Sequence, residues 1–351
     1  MRYGTPRVSV IIPHFGECAV LHQCLRALER TTYPHFEVVV VDNGSPCSGE
    51  SLKHYNLDLV YHRNPTNLGF AGGCNVGVRL ARGQYVVLLN NDTVVDPGWL
   101  APLVSTMEEH PDLAACQPRL LSLVHPDCLD YAGGMGGLMD IFGYPFAIGR
   151  IFGTVQPEKG RYSGTFRIFW ASGTASIWRR DLYLDAGGLD EDFFAHMEEI
   201  DLNWRLQLLG YRICAVSASR VYHYSGYTLG HHRWRKMYLN HRNNLVMLLK
   251  NYSGCALLWL FPLRLMLEAV TALQAAVSLN GKRLLAVALA QLYLWTHWAA
   301  IWRKRKQVQS RRKVGDREIF RLLYRGSVVW QYYIRRRRDV QAFLRLRPCN
   351  E

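Results

Sequence analysis

YVVLLNNDT, residues 85–93, reads as a strand that stops abruptly in polar residues: five apolar side chains in a row, then Asn90, Asn91 and Asp92, then a turn running to Gly98. An unbroken apolar run suits a strand covered on both faces in a parallel sheet, because a strand with one wet face would alternate. Toward the N-terminus, Val8–Ile12, Glu37–Val41 and Leu59–Tyr61 have the same β-branched character, with helical stretches near Ala19–Arg30 and Gly73–Arg82 between them. This order predicts an α/β fold built on a doubly wound, mostly parallel sheet of the nucleotide-binding kind. Ligands of such sheets lie beyond the C-terminal strand ends. Those ends carry Pro13, Asp42 in VVVVDNGS and the Asn-Asn-Asp of 90–92.

Beyond residue 114 the pattern changes. Residues 115–232 hold the glycine-rich YAGGMGGLMDIFGY, a strand-like Ala171–Trp178, an acidic helix near Met197–Leu209 and a strand ending at His223. They form a second half facing an acceptor, as 1–114 forms a first half facing a nucleotide. Residues 233–351 contain two Leu-, Ala- and Trp-rich stretches, Cys255–Val277 and Leu284–Trp302. A basic tail follows, in which sixteen Lys and Arg between Arg303 and Arg347 face three acidic residues. The tail accounts for most of the net charge of +14 over 351 residues, so the first two portions are close to neutral. Nine scattered cysteines without a C-x-x-C pair suggest reduced thiols in a cytosolic compartment. The apolar stretch Val8–Pro13 is too short for a signal-peptide core or a span.

Two acidic constellations could carry chemistry. Asp92 sits at a cleft edge, where a hard oxygen can hold Mg²⁺ or Mn²⁺ against a diphosphate; the plain alternative is a turn made by Asn and Asp. In FFAHMEEIDLNWRLQLLGY, Glu198, Glu199 and Asp201 fall in the first turns of one helix. There they can complement the helix dipole, and Asp201 can pair with Arg205, or one of them can act as a general base. Glu198 and Asp201 share a face, with Glu199 rotated by about 100°. His223 could be a metal ligand, although a lone histidine is more often packed. The glycines of NLGFAGGCNVG, 67–77, lack the G-x-G-x-x-G spacing and serve close helix packing.

Taken together, VSVIIP, VVVDNGS, NPTNLGFAGGCNVG, YVVLLNNDT, ASGTASIWRRDLYLDAGGLDEDFF, HMEEIDL and HRNNL stand in the order found in family 2 glycosyltransferases with the GT-A fold. The chain most resembles their rhamnosyltransferase-like branch, which builds bacterial surface polysaccharides. The resemblance implies an inverting transfer of one sugar from a nucleotide-diphospho-sugar to a saccharide or lipid-linked saccharide. It implies that Pro13 and Asp42 hold the nucleoside, that Asn67, Gly69 and Asn91 line the donor site, and that Asp92 and His223 hold a divalent metal. By the same resemblance Glu199 is the catalytic base, and Trp170, Gly173 and Glu198 lie on the acceptor side. Two departures stand out: Asn90 replaces the first acid of a D-x-D pattern, and Glu199 stands where Asp is commoner, moving the carboxylate by roughly 1.5 Å.

Pro262, Arg264 and Glu268 argue against a clean span in Cys255–Val277, and basic residues at both ends of Leu284–Trp302 leave no positive-inside asymmetry. The pair reads as in-plane or hairpin helices on the cytoplasmic face of a membrane, peripheral or monotopic, with a homo-oligomer interface as the alternative. The basic clusters would attract anionic lipid. A nucleic-acid binder would need a reader motif that the tail lacks. A processive polysaccharide synthase would carry Q-x-x-R-W, whereas HHRWR at 231–235 has no glutamine. A catalytically inactive sugar-binding homologue is the reading that Asn90 prompts.

Overall fold

The computed structural model describes residues 7–46, 49–158, 160–224 and 233–349, Arg233 by its backbone alone. The first half alternates β1 (Val8–His14), α1 (Cys18–Leu28), β2 (Phe36–Asp42), β3 (Leu59–Arg63), α2 (Gly69–Leu80), β4 (Tyr85–Leu89), β5 (Thr93–Val95), α3 (Leu100–Glu109) and β6 (Leu113–Ser122). A small sheet follows, β7 (Gly137–Met139), β8 (Pro145–Ala147), β9 (Arg150–Ile151) and β10 (Thr154–Val155). The chain then re-enters the main sheet through β11 (Thr165–Arg167), β12 (Ala175–Arg179), α4 (Arg180–Asp185), α5 (Glu198–Leu208) and β13 (Arg212–His223). Strand order in the main sheet is β11-β13-β6-β12-β4-β1-β2-β3, with β5 on β13. Strands β3, β2, β1 and β4 are mutually parallel, β6 and β13 are parallel to each other, and β12 runs antiparallel to both β4 and β6.

Both faces of this sheet are covered, which is why its strands read as solid apolar runs. Val8, Val10 and Ile12 face one core with α1 and α3, whereas Ile11 faces the other with α2, α4 and α5. The glycines of α2 let it lie close on the sheet. A Cβ at Gly77 would fall 2.2 Å from Ile11 Cγ2, and one at Gly73 would fall 2.8 Å from Asn43 Nδ2. The wrong spacing for a dinucleotide fingerprint is thereby explained, since these glycines answer to β1 and its neighbours.

Helices α6 (Arg233–Asn251), α7 (Gly254–Val277), α8 (Gly281–Thr296), α9 (Trp298–Ser310), α10 (Asp316–Leu322) and α11 (Val328–Tyr333) complete the chain. A third core joins them to α5 through Trp204, Phe169, Leu245, Leu248 and Ile301. Leu284–Trp302 is not one straight segment, because the helix breaks at His297 and α8 and α9 are bent by 73°. Among the described residues only α7 is long and apolar enough by itself to cross a membrane. Its charged residues turn inward: Arg264 pairs with Glu268 at 2.6 Å, and Glu268 also takes His241 at 2.7 Å. The outward stripe is apolar, with Trp259, Leu263, Met266, Val270, Leu273 and Val277 all exposed.

The first part of the basic tail is not a free cationic arm. Lys304 pairs with Asp190 and Asp192, Arg311 with Asp185 and Arg312 with Asp316, while Arg305 is buried and donates to the carbonyls of Leu249 and Tyr252. After α10 the chain folds back onto the small sheet, where Tyr332 meets Thr154 and Phe343 meets Phe146. It ends beside β11, with Cys349 N donating to Thr165 O and a disulfide joining Cys349 to Cys214 across 135 residues. This corrects the reading of uniformly reduced thiols; strand pairing brings together two cysteines whose separation hides them in the sequence. A crosslink closing so long a loop chiefly restricts the unfolded chain. Cys349→Ser is expected to lower stability by about 2–4 kcal/mol in oxidising buffer and to change nothing in excess dithiothreitol, as read by thermal melts of both proteins in both buffers.

Candidate active site

The C-terminal end of β4 opens into the polar turn of 90–92, and β13 brings His223 alongside through its pairing with β5. His223 Nε2 lies 3.2 Å from Asp92 Oδ1, and His223 Nδ1 lies 2.9 Å from Asp130 Oδ1. Burial opposes a charge on this imidazole, but the hydrogen bonds to Asp130 and Asp92 prevail and raise its pKa to about 9. The two carboxylates thus favour a protonated ring, with Nδ1 directed at Asp130 and Nε2 at Asp92. Asp130, from the loop before the small sheet, had no signal in the sequence; only the fold shows that it sets the orientation of His223.

Next to this pair, Asn91 Nδ2 sits 2.7 Å from His14 Nδ1. Burial lowers the His14 pKa to about 4, so its neutral ring accepts the amide hydrogen. Pro13 is buried at the end of β1. Asp42 is buried too, and both its oxygens are engaged: Oδ1 accepts from the Ser45 backbone and hydroxyl, and Oδ2 from Tyr61 at 2.7 Å with Arg63 at 3.6 Å. It shapes the turn after β2, and Oδ2, with one hydrogen bond from Tyr61, keeps room for a further donor. Asn67 Oδ1 accepts from Gly69 N at 2.8 Å, which starts α2. Gly69 itself is at φ +72°, with the Phe194 carbonyl 2.4 Å from where a Cβ would be.

Glu199 reaches the same rim from α5. The Asn90 N–H donates to Thr174 O at 2.9 Å, and Gly173, one residue earlier, has its Cβ position 4.0 Å from Glu199 Cβ and 3.0 Å from the Phe70 ring. Asn90, Thr174, Gly173 and Glu199 thus form a continuous path, with Asp92 and His223 at one end and the base candidate at the other. Burial pushes the Glu199 pKa up to about 7 against the opposing effect of backbone N–H groups of α5. Burial, then the Glu199 charge, holds Glu198 well above the usual carboxylate range. Both Glu198 and Glu199 lie within electrostatic reach of Cys74, but Glu198 is 4% exposed and also acts on Tyr183, so it packs toward α2 and α4 and not toward an open acceptor side. Asp201 is structural: Arg205 lies at 2.8 Å, Lys250 at 3.0 Å and Asn251 donates at 2.8 Å. Trp170 is a core side chain, 3% exposed, with its indole N–H on Leu138 O and its ring filling the space left by Gly137. It has no surface for an acceptor.

The approach to α5 is strained. Phe194, His196 and Met197 have φ of 63°, 69° and 71°, conformations that cost about 1–3 kcal/mol each for residues with a Cβ. A cavity of about 650 Å³ lies toward the other end of α5, lined by Arg79, Arg205, Lys250 and Lys304. Lys250 and Lys304 are already paired with Asp190, and Arg205 with Asp201, so the rim at Asp92 is the better place for a charged ligand.

A mostly parallel sheet with polar strand ends and an acidic turn after β4 is the architecture of a GT-A glycosyltransferase. The model of glycosyl transferase family 2 matches residues 9–128 and that of glycosyl transferase family group 2 matches residues 85–301; the chain belongs to family 2 of the glycosyltransferases. It is 30% identical over 230 residues to the O-antigen biosynthesis protein RfbC of Myxococcus xanthus, a match covering 63% of this chain and 17% of that longer protein. It is 24% identical over 281 residues to the N-acetylglucosaminyl-diphospho-decaprenol L-rhamnosyltransferase of Mycobacterium tuberculosis, covering 74% of this chain and 89% of the other. The crystal structure of GalNAc-T7 with UDP, GalNAc and Mn²⁺ has a TM-score of 0.55 at 18% identity, covering 70% of this chain and 48% of that one, and shares the fold.

Proposed function

We propose that this protein transfers one sugar, with inversion, from a nucleotide-diphospho-sugar to a saccharide or lipid-linked saccharide during cell-surface polysaccharide synthesis. The observation that carries this reading is a buried carboxylate with a pKa near neutrality, Glu199, joined through Gly173 and Thr174 to the rim at Asp92 and His223. Pro13, Asn67, Gly69 and Asn91 line the donor side, Asp42 braces it, and Gly173 gives the acceptor room beside Glu199. As the acceptor oxygen attacks the anomeric carbon, its proton passes to the Glu199 carboxylate. The bond from that carbon to the diphosphate breaks, and the nucleoside diphosphate leaves with the electron pair.

Asp92 and His223 supply a carboxylate oxygen and an imidazole nitrogen 3.2 Å apart, and among the described residues no group of three or more His, Cys, Asp or Glu forms a complete site. Mg²⁺ or Mn²⁺ would be held at these two protein points, the cation taking the place of the proton on His223 Nε2, and otherwise by the donor's own phosphates. When bound, the cation would offset charge developing on the leaving diphosphate. Asp130 fixes the ring that presents the nitrogen.

Among donors, deoxythymidine-diphospho-rhamnose is favoured by the mycobacterial relative's name. A thermal-shift panel of nucleotide sugars with Mn²⁺, followed by nucleoside diphosphate release, tests the assignment. Stabilisation by at least one donor with Mn²⁺ present is expected, and indifference to the whole panel sinks it.

The exposed stripe of α7 supports a peripheral or monotopic place on the cytoplasmic membrane face, where a lipid-linked acceptor would be met. An apolar stripe of this size is rarely left to water. No acidic residue occurs between Glu268 and Asp316, and Lys282 and Arg283 stand at the α7–α8 turn, which complements anionic headgroups. The apolar stripe is the primary contact, since Lys304, Arg311 and Arg312 at the start of the basic tail are held in ion pairs. Leu273→Glu with Val277→Glu should abolish sedimentation with phosphatidylglycerol vesicles while leaving the melting temperature unchanged; if the double variant sediments as the parent does, the membrane lies elsewhere or nowhere.

A further inference from the structure

The loop 190–197 carries no ligand-binding group assigned above, yet it delivers Glu199 and touches the donor side. Its Phe194 carbonyl accepts from Ala71 N at 3.2 Å, at the start of α2. Its three left-handed residues would relax if nothing held them. What holds them comes from α6. Asn243 is fully buried, and its Nδ2 lies 3.0 Å from Phe193 O, 2.9 Å from Ala195 O and 2.7 Å from His196 O. Arg242 decides which way that amide points: its Nε donates to Asn243 Oδ1 at 2.7 Å, and its Nη2 donates to Asp192 O at 2.7 Å and Phe193 O at 3.0 Å. The guanidinium is in turn held over the rings of Tyr238 and Tyr293, at 5.5 and 5.0 Å.

We infer that Asn243, oriented by Arg242, is a positioning residue for Glu199: the amide ties down the carbonyls of the strained loop and so fixes where α5 begins and where the Glu199 carboxylate stands. This rests on Glu199 being the base. Asparagine suits the task because one amide offers two hydrogens to carbonyls while its oxygen is taken by Arg242. In Asn243→Asp an acceptor faces three acceptors. Helices α6 and α8, through Arg242 and Tyr293, thereby couple the helical region to the reacting groups.

The test uses Asn243→Asp and, because Asn243 is wholly buried, the half-buried Arg242→Gln as a second variant, each as the full chain. Amide hydrogen exchange is followed over 190–200 and over β1–β4, and nucleoside diphosphate release is measured with the donor that the panel selects. Both variants should exchange faster over 190–200 with β1–β4 unchanged. Turnover should fall by roughly a hundredfold, as for a misplaced catalytic group, with the donor KM little altered. Unchanged exchange in Arg242→Gln overturns the proposal. So does a loosened loop with undiminished kcat, or a loss that appears in KM alone. Should Glu199→Gln prove fully active, the base assignment falls while the exchange result still stands, so the two failures can be told apart.

Discussion

Glu199→Gln is expected to lose turnover by roughly 10²–10⁴-fold, the usual contribution of a general base, with donor affinity preserved. The amide keeps the shape of the side chain but cannot take the acceptor proton. The pH dependence follows from the same group. Only the carboxylate acts as a base, and burial places its pKa at about 7, so wild-type kcat should climb as pH rises through that value. Stability should move the other way. The folded-state pKa lies above the ordinary value of 4.5, so between the two the native state binds more protons than the unfolded chain, and stability falls as pH rises. Glu199→Gln should therefore melt no lower than the parent at pH 8, and its melting temperature should drop less between pH 6 and pH 8. A Gln variant that turns over normally would place the base elsewhere.

Asp92→Asn is expected to weaken donor binding and to reduce turnover by about 10²–10³-fold, the scale seen when a fixed electrostatic partner of the leaving charge is removed. The side chain keeps its size, so folding should survive. The decisive readout is the metal: Mn²⁺ together with a nucleoside diphosphate should raise the melting temperature of the parent and leave the variant unmoved. Asn90 lacks the first acid of the D-x-D pattern, so the charge in this turn rests on Asp92, whose Oδ1 lies 3.2 Å from His223 Nε2. If Asp92→Asn kept both its Mn²⁺ response and its turnover, the metal assignment would fall with it.

The strands β1, β2 and β4 were readable from composition because burial on both faces leaves a one-dimensional mark, a largely apolar run ending in polar residues, while the edge strand β3 is only half-buried. Helix α5 was readable from its acidic first turn and closing glycine. The functions of its three acids were not. Asp201 and Glu198 look as reactive as Glu199 in sequence, and only the positions of Lys250, Arg205, α2 and α4 separate a salt bridge and a buried neighbour from the group beside Gly173. Trp170 shows the same limit, since an aromatic next to a catalytic block can as easily fill the space over a glycine.

Local order along the chain dictated the sheet, the polar strand ends and the family, since all of these depend on residues that act where they stand. Packing between distant segments decided the rest: the Asp92–His223–Asp130 cluster, the turn of α7's charges inward and its apolar stripe outward, the disulfide at the chain end, and the hold of α6 on the loop before Glu199. Each of these joins side chains whose energies are set by burial and by a partner many residues away, and neither is a property of a stretch of sequence read alone.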